Sequence, residues 1–515
     1  MGTKETWLGK SLAEMTAVMR RHCERGVRRT LIVGPKYPLQ MTWDDEITEK
    51  RYVRPSMFDK QFNSQGYYIP LASGELIWRA AVIRDLIAGA AGNWPVIVTI
   101  NFEALDDYFE EIVKVEDGYR FRKKIYPTLR EARVGRANST SKRIVDLLLD
   151  WKPEDVIVDE AHLVASAGAQ RSRALRRLGR GAQYVRLLSG TPDPKRALSF
   201  YSQYVVLDPG IFGTNKAKFL DEYFSFNHFT GLVEGLKPSA ERAFYDKVFS
   251  VMSRVRAEDY FGPNEPNTIT RHIPWPARAG KLYTDFQKDH VLAEDDLSVD
   301  GTHLLTKLLR SLQLCAGFLE DEASGEQRWI HHAKTEAITA DLAEPIATGL
   351  RVVVSYTFTS AGVAVTDAIN AAYGKGTAVL INGQTKDAAS IMRLFDVNCT
   401  TPTDIKVLVI QERVGGVGIS LARARHLFFH SWSMDSAAHD QMLHRIWMPN
   451  RTSNITYFQM KHSADKYARM IVRDKLDASV MLRKIGLANA LAGGPFDIRP
   501  EFSRPGQPNL AEITG

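Results

Sequence analysis

Val156-Ile157-Val158-Asp159-Glu160-Ala161-His162 runs three apolar β-formers directly into two adjacent acids. The apolar triplet predicts a strand buried on both faces. Adjacent acids at a strand end are common in themselves. The buried strand before them and the Ala-His after them set this pair apart. Working outward, Leu31-Ile32-Val33, Val96-Ile97-Val98 and Val185-Arg186-Leu187-Leu188 read as further buried strands. Leu12, Met15, Val18 and Met19 have the spacing of one helix face. Strands alternating with helices predict an α/β layer with a parallel sheet.

The alternation loosens after Asp208-Pro209-Gly210, and prolines 263, 266, 274 and 276 suggest a stiff linker. A helical region is expected from about Ala279 to Phe318. A second α/β run follows, with strands at Arg351–Val354, Ala378–Ile381, Val407–Ile410, His426–Phe429 and Ile455–Phe458. The expected organisation is an α/β lobe over 1–207, a linker and helical region over 208–333, a second lobe over 334–490 and a tail over 491–515.

The chain has 515 residues, 44% of them hydrophobic and 25% charged, which is ordinary for a globular protein. It has no apolar run of about 18 residues and no basic-then-apolar leader, so neither a membrane span nor a secretory signal is expected. Cys23, Cys315 and Cys399 form no CxxC pair, which argues against a zinc ribbon and fits a reducing, cytoplasmic setting. The net charge is +7, and it is unevenly spread. Between Tyr119 and Arg143 lie nine basic residues and one acid, a local +8 that suits a polyanion.

Several stretches carry phosphate chemistry. Glu5-Thr6-Trp7-Leu8-Gly9-Lys10-Ser11 offers Gly-Lys-Ser ahead of a helix, where Lys10 could reach phosphate and Ser11 a metal. In nucleotide hydrolases the first acid of a strand-end pair, here Asp159, serves Mg²⁺, and the second, here Glu160, activates water. Leu188-Ser189-Gly190-Thr191-Pro192 follows the next strand. Gly415, Gly416 and Gly418 would let backbone approach a ligand closely. Gln441 and Arg445 sit one helical turn apart, and a guanidinium there could stabilise phosphoryl charge.

In this order the motifs resemble superfamily 2 ATPases, in detail the Swi/Snf-like branch of DNA translocases and helicases, including compact phage-encoded members. Gly34-Pro35-Lys36 with Trp43-Asp44-Asp45-Glu46-Ile47, and Leu308–Gln313, support this likeness. The resemblance implies two RecA-like lobes, ATP with Mg²⁺ in the cleft between them, and nucleic acid across both. It assigns Gly9, Lys10, Ser11, Gly416 and Gly418 to nucleotide, Ser11 and Asp159 to metal, and Glu160, Gln441 and Arg445 to hydrolysis. Ser189, Gly190 and Thr191 would couple the nucleotide site to nucleic acid.

The sequence departs from the family at both ends of this machinery. Trp7 stands where a glycine is usual, and a rival register aligns Met1–Thr6 with the loop and puts Glu5 in the Lys place. The Gly-Lys-Ser order and the helix beyond favour Lys10. Relatives carry an adenine-reading segment before the loop, where the given sequence begins, so no adenine contact is assigned. Met448 replaces a second finger arginine; Arg451 is either its substitute or a surface residue. For nucleic acid the candidates are Arg120, Arg122, Lys123 and Lys124, and Arg173 and Arg177 on a helical face shared with Arg176 and Arg180. No base-reading pattern accompanies them, so the expected partner is duplex DNA bound without sequence preference, with RNA as the alternative. A strand-separating helicase and a nucleic-acid-binding relative with a dead nucleotide site are the rival readings.

Overall fold

The computed structural model describes residues 2–4, 10–48, 68–73, 76–92, 95–107, 112–115, 117–121, 124–137, 143–164, 169–190, 197–226, 233–255, 266–289, 291–294, 297–300, 304–321, 326–385, 387–415, 420–448 and 451–473. The chain divides into two compact units, 1–262 and 263–515.

The first unit is built on a seven-stranded sheet. Its strands are β1 (Gly2–Lys4), β2 (Arg29–Gly34), β3 (Tyr68–Pro70), β4 (Val96–Asn101), β8 (Asp155–Val158), β9 (Tyr184–Ser189) and β12 (Ser253–Val255), in the order β12-β1-β9-β8-β2-β4-β3. Every pairing is parallel. Val33 lies opposite Val158 and Val158 opposite Leu187, so the central strands end in register. Leu31, Ile32, Val33, Val156, Ile157 and Val158 are fully buried, as continuous apolar runs require when both faces of a sheet are covered.

Helix α1 (Lys10–Arg25) covers one face with Met15, Val18 and Met19; Leu12 is only half-buried. The opposite layer holds the helix Gln170–Gly181, whose Leu175 and Leu178 are buried. A Cβ on Gly179 would stand 2.8 Å from the Val206 carbonyl oxygen, so only glycine permits that helix to pack as closely as it does. Between β4 and β8 the chain inserts a small antiparallel sheet of β5 (Ile112–Val115), β6 (Gly118–Phe121) and β7 (Lys124–Tyr126), followed by the helix Leu129–Ala137.

The second unit holds a six-stranded parallel sheet of β13 (Asn267–Ile273), β18 (Val352–Tyr356), β19 (Ala378–Ile381), β20 (Val407–Gln411), β21 (His426–Phe429) and β22 (Asn454–Met460). Its order is β13-β22-β21-β18-β20-β19. Lys334 and Asp465 form an ion pair of 2.6 Å beside this sheet, both side chains almost wholly buried. Each unit is thus a parallel α/β sheet flanked by helices, the fold class expected from the alternating pattern.

The segment 208–333 is shared between the units. The hairpin of β10 (Phe224–Phe226) and β11 (Val233–Leu236), and then β12, pack with the first. Strand β13, inside the proline-rich stretch expected to be a linker, is instead the edge of the second sheet, paired over its full length with β22. Most of its residues are exposed, so no apolar run announces it. The helical region is interrupted by a hairpin of β14 (Val291–Glu294) and β15 (Leu297–Asp300), between the helices Ala277–Asp289 and Leu304–Ala316. A further hairpin, β16 (Phe318–Glu320) with β17 (Gln327–Trp329), precedes strand β18 within the second unit.

Candidate nucleotide site

Gly2–Lys4 form strand β1, and Lys10 is the first residue of α1. Residues 5–9, Gly9 among them, lie between the two and outside the described residues. The Gly2-Thr3-Lys4 of the rival register is therefore strand, while Lys10 opens a helix of 16 residues with Ser11 buried behind it. The free amide groups and positive dipole end of such a helix suit an anion.

Strand β8 delivers the two acids. Asp159 comes directly after its last residue and is held there by its own N–H, which donates to the Val33 carbonyl at 2.8 Å. Lys10 Nζ lies 2.7 Å from Asp159 Oδ1 and 3.1 Å from Glu160 Oε1. Asp159 Oδ1 also accepts from the Glu160 N–H at 2.9 Å, and Asp159 Oδ2 accepts from Trp43 Nε1 at 2.9 Å. Burial alone would push the Lys10 ammonium down, but Asp159 and Glu160 together outweigh it and raise it above the usual lysine range.

Glu160 sits at φ +50°, in the left-handed region that residues with a Cβ seldom occupy. Its Oε2 is 3.2 Å from His162 Nδ1, which also lies 3.1 Å from Ser189 Oγ at the end of β9. Lys10, Asp159, Glu160, His162 and Ser189 thus form one connected set. Gly190 comes next as an exposed residue, and Thr191 is outside the described residues. Gly34 lies against the cluster: a Cβ there would stand 3.2 Å from Asp159 Cβ, a tight contact.

The donor set fits a nucleoside triphosphate with Mg²⁺. A cation and a hydroxyl open a helix, and two carboxylates end the neighbouring strand. Of the residues named from the sequence, the structure brings Lys10, Asp159, Glu160 and Ser189 together, with Ser11 buried next to Lys10. Gly34, Trp43 and His162 stood in the quoted stretches without a role. The His162 link could have been suspected from its position three residues after Asp159; the Trp43 link spans 116 residues and leaves no local signal.

In the second unit, Gln441 and Arg445 lie on the helix Ser436–Ile446. Gln441 is half-buried and Arg445 is 7% exposed. The Arg445 carbonyl accepts from Leu421 N–H at 2.8 Å, which ties the helix to the segment after the glycine loop. Gly416 and Gly418 fall outside the described residues. Glu412 begins the short helix Glu412–Gly415, and its Oε1 lies 2.8 Å from His439 Nδ1. His439 Nε2 in turn lies 2.7 Å from the Tyr457 hydroxyl, and the Phe429 ring stacks on the imidazole. Arg451 donates to the carbonyls of Ala422 and, at 3.2 Å, Ala424.

The basic candidates are distributed over two surfaces. Arg120 on β6 and Lys124 on β7 are exposed, with Lys124 Nζ 5.0 Å from the Tyr126 ring centre; Arg122 and Lys123 are outside the described residues. On the helix Gln170–Gly181, Arg173, Arg177 and Arg180 are exposed. Arg177 is paired with Asp146 at 2.8 Å. Among the described residues no helix is long and apolar enough to cross a membrane.

No protein-family model matches the chain. Protein p41 of Acyrthosiphon pisum secondary endosymbiont phage 1 is 23% identical over 360 residues, covering 66% of this chain and 72% of that protein. The TATA-binding protein-associated factor mot1 of Aspergillus fumigatus is 26% identical over 171 residues, 31% of this chain and 9% of that protein. Among solved structures, the Sulfolobus solfataricus SWI2/SNF2 ATPase core in complex with dsDNA aligns with 95% of this chain and 89% of its own at 14% identity and a TM-score of 0.33. Mss116p bound to ssRNA and AMP-PNP aligns with 91% and 67% at 10% identity and a TM-score of 0.48. In the order of its motifs along two parallel α/β sheets, the chain resembles the Swi/Snf-like superfamily 2 ATPases.

Proposed function

We propose that this chain is an ATPase of the superfamily 2 helicase type that couples hydrolysis to movement on duplex DNA. The observation that carries the reading is the position of Lys10, at the start of α1 and within 3.1 Å of both strand-end acids. Lys10 would hold the β/γ-phosphates, since a phosphate oxyanion competes with the carboxylates for the same ammonium. Ser11 and Asp159 would hold Mg²⁺, which when bound neutralises phosphate charge. Glu160 would orient and deprotonate the attacking water, with His162 keeping its carboxylate from turning away. Gln441 and Arg445, with Gly416 and Gly418, would belong to the same reaction, Arg445 as the group that meets developing phosphoryl charge.

The nucleic-acid half of the reading rests on charge. Arg120 and Lys124 on the inserted sheet, with Arg122 and Lys123 in the same run, and Arg173 and Arg177 on their helix present cations without a base-reading pattern. Such contacts favour phosphate backbone over sequence. The His162–Ser189 contact supplies a route by which Ser189, Gly190 and Thr191 could sense the state of the acids.

The test is ATP hydrolysis measured with duplex DNA, single-stranded DNA and RNA as competing stimulators. Stimulation by duplex DNA that falls steeply with salt supports the reading. Equal turnover with and without any nucleic acid would reject it, and preference for single-stranded RNA would favour an RNA helicase.

A further inference from the structure

Trp43 is fully buried, in a cluster with Met15, Ile32, Ile97 and Ile157. A large ring there needs no explanation beyond packing. Its one polar atom does. An indole N–H can only donate, and burying it without an acceptor costs a few kcal/mol, on the order of 1–3. The acceptor this chain supplies is Asp159 Oδ2, at 2.9 Å.

The local backbone is shaped for that contact. Leu39–Trp43 form a π-helical turn between the short helices Lys36–Pro38 and Asp44–Thr48. A π turn holds an extra residue and so rotates the chain beyond it; such turns recur at working sites. Leu39, at its start, would stand 3.5 Å from a Cβ on Gly34, the glycine that also lies against Asp159. Asp159 is consequently held from three directions: Lys10 and the Glu160 N–H on Oδ1, and the indole on Oδ2.

The three holds differ in kind. The ammonium must be shared with phosphate if Lys10 binds nucleotide. The indole carries no net charge, takes no part in that exchange and lies on the buried side. It can keep the carboxylate in one orientation while its other oxygen changes partners.

We propose that Trp43 is a positioning residue for the metal-holding carboxylate: its indole N–H fixes the orientation in which Asp159 meets Mg²⁺. The proposal rests on the reading of Asp159 as the metal carboxylate. Partners that orient a ligand from outside the coordination sphere typically contribute about 10- to 100-fold in metal affinity.

Trp43→Phe keeps an aromatic ring and removes the donor. The measurement is the Mg²⁺ concentration that half-saturates the Mg²⁺-dependent part of ADP binding, followed by calorimetry beside ADP binding in EDTA. Trp43→Phe should need at least ten-fold more Mg²⁺ while ADP binding in EDTA stays at the parental level. A parental Mg²⁺ midpoint in Trp43→Phe overturns the proposal. Asp159→Asn is measured in parallel. If it too keeps the parental midpoint, the assignment of Asp159 to the metal fails, and the proposal falls with it. If Trp43→Phe does not fold, the full-length chain with ¹⁵N-labelled indoles gives the answer. The indole resonance displaced by Asp159→Asn must also move when Mg²⁺ and ADP are added to the unsubstituted chain. A resonance that stays still overturns the proposal.

Discussion

Arg21 Nε donates to Asp155 Oδ2 at 2.8 Å, at the end of β8 opposite to the one where Lys10 meets Asp159. Helix α1 is therefore fastened to β8 twice. The span from Lys10 to Arg21 is about 16 Å at 1.5 Å per helical residue, and Asp155 to Asp159 is about 13 Å at 3.3 Å per strand residue. The two lengths nearly match, so helix and strand run side by side with a cation at each end of one and an acid at each end of the other. Arg21 also reaches Glu14 at 2.8 Å. Burial pushes the Asp155 carboxyl up to about 6, against the downward pull of Arg21. Arg21→Met should destabilise the first unit by about 3–5 kcal/mol, because it strands the buried carboxyls of Asp155 and Glu14. Arg21→Met with Asp155→Leu should recover the part of that loss owed to Asp155, the part owed to buried Glu14 remaining, as read by urea unfolding.

The contacts of Lys10 separate two roles. Lys10→Ala should abolish binding of a fluorescent ATP analogue, whereas Lys4→Ala, in strand β1, should change it little. Glu160→Gln should bind the analogue and fail to turn ATP over. Parental turnover in Glu160→Gln would remove Glu160 from the water-activating role.

The Glu412–His439–Tyr457 chain should show a marked asymmetry. Glu412 is fully buried. His439→Ala leaves its carboxylate without the imidazole and should cost about 3–5 kcal/mol in the second unit. Tyr457→Phe removes one neutral donor and should cost about 1 kcal/mol. Arg445→Ala should lower turnover by roughly 10³-fold with ATP binding less affected. Unfolding curves and single-turnover rates check these in turn.

Acid should act on both units through buried histidines. Burial lowers His22, which hydrogen-bonds Thr30 Oγ1, to about 4, and burial likewise lowers His331, held by the Leu314 carbonyl, to about 4. The unfolded chain takes up protons near the ordinary histidine value, before the folded one does. The histidine contribution is therefore complete above about pH 6.5 and is lost as the pH drops toward 4, while in the first unit Asp155, raised to about 6, works the other way by taking its proton in the folded chain first. His22→Gln should remove the histidine contribution from the first unit and leave the second unit's slope intact, measured by chemical unfolding across the range.

Much of this was legible in the residues. Strands such as Val156–Val158 and Val352–Val354 are buried on both faces, so their apolar runs stand out. Strand β13 does not, because an edge strand has one side in water and Asn267–His272 can remain polar. Strand β1 is three residues long and Gly2-Thr3-Lys4 has no apolar pattern. Lys10, Asp159 and Glu160 could be singled out because Gly-Lys-Ser before a helix and two acids after an apolar strand are short-range patterns, and the structure brings the three together. The Trp43 contact depends on two strands and a π turn bringing distant residues together, and nothing in the neighbours of Trp43 encodes it. The Glu412–His439–Tyr457 chain was invisible for the same reason.

Along a pleated strand neighbouring side chains point to opposite faces. Continued past Val158, that alternation would send Asp159 and Glu160 apart, and one ammonium could not serve both. The positive φ of Glu160 breaks the alternation where the strand ends. The pair meets Lys10 together because the backbone turns the wrong way for an ordinary residue. A glycine there would hold the same backbone more comfortably and offer no carboxylate. The chain accepts a conformation that costs roughly 1–2 kcal/mol in return for two acids on one side, so stability and the role proposed for Glu160 are set against each other at a single residue.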